Sequence, residues 1–245
     1  MRKYLGYLND IDYTNRHCVK NTVVSPKGRL IVFGDSYAHV NSGSVQNWST
    51  WVARHLEYDL ISYALAGTSL RYSIQNFFNY YDTDYREDDY IIFLTTSPLR
   101  APFSLYGSDP LWQHALYEFI RDAKKNEYMN KQSYLYFNSL KNKRFWDVYV
   151  ESGIHTMSDW KYDKTLIESF IKNLKNKTLI LPSFPILDED FALFRVSNEI
   201  ENRKYFEETN HMSSENLKTL SKLVLDYFRN LDYNIFTIEK FQRYQ

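Results

Sequence analysis

Ser36, His211 and Glu208 are the residues of this sequence whose types and order suit nucleophilic chemistry. Ser36 directly follows Gly34 and Asp35, and Glu208 precedes His211 by three positions. A serine hydroxyl is almost wholly protonated at neutral pH, so it attacks a carbonyl only beside a general base. Histidine ionises in the right range to be that base, and a carboxylate on its far ring nitrogen fixes the tautomer and stabilises the imidazolium. The chain has 6 histidines, at positions 17, 39, 55, 114, 155 and 211, and only His211 has an acidic residue three positions earlier. Backbone N–H groups must also face the oxyanion that develops on attack.

The surrounding stretches must position these groups. Leu30-Ile31-Val32-Phe33 reads as a short strand buried on both faces, and Gly34 permits a sharp bend where it ends. Asp35 and Ser36 then fall on the loop at the strand's carboxyl end, where open α/β sheets bind their ligands. The everyday use of a serine there is to cap a turn or helix, and that reading stands beside the catalytic one.

In chain order, residues 1–28 are polar and aperiodic and read as an N-terminal extension ahead of a domain spanning 29–245. Trp48, Trp51, Val52 and Leu56 have helical spacing. A strand over 59–63, a helix over 70–80 and a solvated acidic loop over 82–89 follow. Tyr90-Ile91-Ile92-Phe93-Leu94-Thr95 is the clearest strand. The pattern is mainly helical from 111 to 160, and 101–160 is the candidate for an inserted helical cap. A helix over 161–175, a strand over 178–182 and a final helix carrying Leu217, Leu220, Leu223, Val224 and Phe228, capped by Ser213 or Ser214, complete the chain. Strands alternating with helices imply an α/β fold with a largely parallel sheet in three α/β/α layers. The loops holding Ser36, Gly67, Ser97, and Glu208 with His211 then share one edge of that sheet.

Composition removes several function classes. Thirty basic and 30 acidic residues cancel, so bulk charge offers nothing to nucleic acid or an anionic membrane. Cys18 is the single cysteine, which forbids an intrachain disulfide or a cysteine metal cluster. The first ten residues lack the apolar core of a secretory signal, and no apolar run approaches the roughly 20 residues of a membrane span; a cytoplasmic protein is expected. With seven glycines there is no Gly-x-Gly-x-x-Gly or phosphate-loop pattern. His-Glu-x-x-His is missing too, and Asp188-Glu189-Asp190 reads as a solvated loop. No cofactor and no metal are expected. Aromatic residues make up 18% of the chain, and they read as core and rim rather than as a carbohydrate-binding surface.

The blocks Phe33-Gly34-Asp35-Ser36-Tyr37, Ala64-Leu65-Ala66-Gly67-Thr68 and Glu208-Thr209-Asn210-His211 resemble, in order and spacing, those of the SGNH (GDSL) hydrolase superfamily. The resemblance spans 33–213 and implies a flavodoxin-like α/β/α fold with a metal-independent esterase site. Carried over, Ser36 is the nucleophile, His211 the base and then the acid, and Glu208, where the family has aspartate, orients it. Gly67 matches the glycine whose N–H faces the oxyanion. The third block departs: the family's Gly-x-Asn-Asp is replaced by Thr95-Thr96-Ser97-Pro98, which sets Ser97 where the asparagine donor belongs. Either Ser97 or Thr96 takes over, or activity is low, or the site has become a binding site. Asp35 and Arg100 are expected to contact substrate, with a surface salt bridge as the other role for Arg100.

The implied reaction is hydrolysis of a small acyl ester, such as acetyl on a carbohydrate, through an acyl-enzyme on Ser36. Its rate should rise as His211 loses its proton. Acyl transfer through the same intermediate, an inactive glycan-binding module of this fold, and an α/β-hydrolase are the alternatives. The last would need a second glycine where Ala38 stands.

Overall fold

The computed structural model describes residues 19–21, 25–38, 47–65, 68–96, 157–183, 191–196 and 212–242. The strands are β1 (Val19–Asn21), β2 (Gly28–Phe33), β3 (Tyr58–Ser62), β4 (Tyr90–Thr95) and β5 (Lys177–Pro182). They form one sheet in the order β1-β3-β2-β4-β5. The last four are mutually parallel, and β1 runs antiparallel on the outer side of β3. The described helices are α1 (Trp48–Leu56), α2 (Leu70–Thr83), α3 (Met157–Lys172) and α4 (Ser214–Asn230). Among the described residues no helix is long and apolar enough to cross a membrane.

The apolar run of β2 has a simple cause: a central parallel strand is covered on both faces and alternates between two cores. Leu30 and Val32, with Ile92 and Leu94 of β4 and Leu179 and Leu181 of β5, pack among Trp48 and Val52 of α1 and Leu220, Val224 and Phe228 of α4. Ile31, Phe33, Ile91 and Phe93 point the other way, to Ile74 and Phe77 of α2 and Trp160, Ile167 and Ile171 of α3. Three layers result, as the alternation of strands and helices predicts. The second core absorbs many of the aromatics, with the Phe33 ring 5.2 Å from Tyr63 and 5.4 Å from Phe77.

The order also fixes where a crevice opens. The chain steps from β2 to β3 on one side, then returns past β2 to β4 on the other. The carboxyl end of β2 is therefore the topological switch point of the sheet.

Three features differ from the sequence reading. The polar stretch 1–28 contributes β1, an edge strand held by backbone pairing of Val19, Lys20 and Asn21 with Ser62, Ile61 and Leu60. Helix α3 begins at Met157 and ends at Lys172, where i→i+3 turns at Asn173 and Leu174 close it. The rest of the candidate cap lies outside the described residues.

The acidic stretch 82–89 is not all solvated, because Asp89 is 1% exposed. Its carboxylate receives Arg29 Nε at 2.7 Å and Nη2 at 2.6 Å, the Tyr80 hydroxyl, and the Arg86 N–H at 3.1 Å. Asp84 takes Arg29 Nη1 at 2.9 Å. Burial alone would lower the guanidinium's pKa, and the hydrogen bonds to Asp89 and Asp84 more than reverse that. Burial, then the bond to Asp89, pushes the Tyr80 phenol up. Asn176 seals the cluster by donating to the Arg86 carbonyl at 2.7 Å and the Asp89 carbonyl at 3.1 Å.

This network locks β2, the end of α2 and the α3–β5 turn together at the amino end of the sheet. Removing one partner of a buried pair strands the other charge. Asp89→Ala should therefore cost about 3 kcal/mol in urea-unfolding free energy. Lys175→Ala, which deletes an exposed partner of Glu87, should move it by less than about 0.5 kcal/mol. Equal small effects would show that the network is not holding the fold.

Candidate active site

The loop after β2 is built around Gly34 and Asp35. Gly34 has φ +152°, and a Cβ there would meet Leu94 Cβ at 2.7 Å. Only glycine lets the backbone leave the strand so close to β4. Asp35 is fully buried, and its Oδ1 accepts the Tyr37 N–H at 3.1 Å and the Ser183 hydroxyl at 3.3 Å. The Ala38 N–H donates to the Asp35 carbonyl at 3.0 Å, closing a turn over 35–38. Two bonds from outside the turn fix its flanks. Leu65 N–H donates to the Gly34 carbonyl at 3.2 Å, and Trp48 Nε1 donates to the Tyr37 carbonyl at 2.7 Å.

Within Gly34–Ala38, residues 34, 35, 37 and 38 are buried and Ser36 alone is partly exposed. Its hydroxyl makes no hydrogen bond among the described residues. The turn-capping job that a serine could have done is done by the Asp35 side chain instead. The sequence reading gives Asp35 to substrate; the structure turns its carboxylate inward, onto Tyr37 and Ser183.

Around this turn the sheet edge is polar although the cores beneath it are not. Ser62, Thr68, Ser69, Thr95, Thr96 and Ser183 are all buried there. Thr96 Oγ1 donates to the Thr68 carbonyl at 3.2 Å, and the Thr96 carbonyl accepts Trp160 Nε1 at 3.0 Å. That clasp joins the loops after β3 and β4. It also commits the Thr96 hydroxyl proton to the Thr68 carbonyl.

Helix starts gather at the same edge. Ser69 caps α2 by accepting the Tyr72 N–H, and Asn47 caps α1 by accepting the Ser49 N–H at 3.0 Å. Ser213 caps α4 by accepting the Asn216 N–H at 3.1 Å. The far end of α4 meets the start of β5, where Lys177 Nζ donates to the Phe228 carbonyl at 3.2 Å. The α4 start must therefore lie at the carboxyl edge. Aligned N-termini give this edge a positive field that favours negative charge.

Gly67, Ser97, Arg100, Glu208 and His211 lie outside the described residues. Their described chain neighbours are Thr68 and Thr96, in the clasp, and Met212, which is buried beside the cap of α4. Among the described residues no group of three or more His, Cys, Asp or Glu side chains could hold a metal ion. Sequence reasoning missed Ser183 and Trp48. Ser183 had a signal, since it directly follows a strand's last residue, just as Ser97 nearly does; the indole of Trp48 had none.

The geometry at Gly34 is testable. Gly34→Ala forces a Cβ into Leu94 at a φ that alanine rarely adopts, so it should cost about 2 kcal/mol or more in thermal or urea unfolding. A variant as stable as the parent would mean that the turn relaxes without strain.

No protein-family model matches the chain, and no curated protein matches it in sequence.

Proposed function

We propose that the chain is a serine hydrolase that cleaves a small ester through an acyl-enzyme on Ser36. The observation that carries this reading is a half-buried serine whose hydroxyl makes no hydrogen bond among the described residues. It sits at the switch point of a parallel sheet, on a turn whose other residues are buried and hydrogen-bonded. A structural serine is normally used by its own turn, and this one is not.

In the proposed reaction Ser36 Oγ adds to the ester carbonyl while its proton passes to His211. The tetrahedral oxyanion is met by the Gly67 N–H and by Ser97. Its collapse expels the alcohol, which takes the proton back from His211. Water then adds to the acyl-enzyme with His211 again as base, and the acid leaves as Ser36 is regenerated. Glu208 accepts the N–H of the far ring nitrogen and so leaves the near nitrogen's lone pair to take the Ser36 proton, and Arg100 contacts the polar part of the substrate. The edge's helix starts favour the charge that develops on the oxyanion. Acetyl or a similar small acyl group on a carbohydrate is the substrate class that the family resemblance implies, with no cofactor, no nucleic-acid partner and a cytoplasmic site of action.

Intact mass after incubation with a fluorophosphonate probe tests this. The wild type should gain one adduct, Ser36→Ala none, and His211→Ala should label at least about 100-fold more slowly. A folded wild type that takes up no adduct would contradict the reading. A glycan-binding module would then be the better account.

A further inference from the structure

Ser183 lies 148 residues from Asp35 in sequence, yet its side chain reaches the turn that presents Ser36. Its main chain is fixed first: the Ser183 N–H donates to the Thr95 carbonyl at 2.9 Å, extending the β4–β5 ladder one step beyond Pro182. From that anchor its hydroxyl crosses the end of β4 and donates to Asp35 Oδ1 at 3.3 Å. Asp35 and Ser183 are both 0% exposed. The receiving oxygen is the one that also accepts the Tyr37 N–H at 3.1 Å, the bond that closes the turn over Ser36.

We propose that Ser183 is a positioning residue: through Asp35 it ties the Ser36 turn to the end of β5 and holds the nucleophile at a fixed height above the sheet. The inference rests on the serine-hydrolase reading for its catalytic consequence and on geometry alone for the tether. With the hydroxyl present, Asp35 Oδ1 is aimed at Tyr37 from a rigid strand end. Without it Asp35 Oδ1 loses the donor anchored at the end of β5, the Tyr37 bond loosens, and the backbone at Ser36 gains freedom. A displacement of about 1 Å at a reacting group costs on the order of 100-fold in rate, so partial loosening should cost about tenfold. Ser183 does not touch the reacting atoms, so the pH midpoint of labelling should not move.

The experiment compares wild type, Ser183→Ala and Ser183→Cys, whose thiol is near in size and a weak donor. Two readouts are taken on the full chain: amide hydrogen exchange at Tyr37, and the rate and pH midpoint of fluorophosphonate labelling. Ser183→Ala should speed Tyr37 exchange and slow labelling, each by about tenfold, at an unchanged midpoint, with Ser183→Cys between it and the parent. Unchanged Tyr37 exchange, or unchanged labelling of a protein that does label, overturns the proposal. So does faster exchange shared equally by core amides such as Ile92 and Val224, since that reports lost global stability. If the wild type does not label at all, the hydrolase reading fails by itself, and Tyr37 exchange alone upholds or overturns the tether. If Ser183→Ala does not fold, Ser183→Cys carries the same two readouts to the same decision.

Discussion

A carboxyl group taken fully out of water costs several kcal/mol unless protein donors replace the solvent. Asp35 meets that demand at the end of β2 with donors from its own turn and from Ser183 beyond β5. Satisfying one buried group thus draws the ends of three strands into a single arrangement. Gly34 is required because the chain must bend within reach of Leu94 to bury that carboxyl, and the backbone N–H of Tyr37 is one of its donors. Ser36, between the buried Asp35 and Tyr37, is left partly exposed.

The two ends of the sheet use buried polarity differently. At the amino end, Arg29 and Asp89 pair as ions, each satisfying the other's buried charge. Its donors and acceptors are paired inside the protein, and Asn176 seals it. At the carboxyl end the polar groups are hydroxyls and backbone amides, cheaper to bury than ions and able to bond backbone carbonyls from neighbouring loops. A paired ionic cluster at the amino end and hydroxyls at the carboxyl end leave the latter as the edge where open parallel sheets bind ligands.

What the sequence made legible follows from the range of the forces involved. Tyr90–Thr95 can be read to the residue because an unbroken apolar run lies between an acidic turn and a Thr-Ser-Pro stop. The capping of α4 by Ser213 is equally local. β1 is invisible to such reading, because Val19-Lys20-Asn21 has no pattern and is a strand only through backbone bonds to β3. Asp89 is invisible for a related reason: its sequence neighbours are solvated, and the guanidinium that buries it is 60 residues away. At the candidate site, the place of Ser36 was legible from a strand, a glycine and a turn. The inward aim of Asp35 was not, since one of its donors, Ser183, is 148 residues away. For Gly67, Ser97, Arg100, Glu208 and His211 the sequence speaks alone.

The central claim is that Ser36 is a nucleophile switched on by the deprotonation of His211. The most direct test is the pH dependence of the second-order labelling rate of Ser36 by a fluorophosphonate, measured for the parent and His211→Gln. The account predicts a rate that rises through an ionisation near neutrality or somewhat above and then levels, with His211→Gln slow throughout. A rate that is flat across that range, or a His211→Gln profile that overlays the parent, would contradict it.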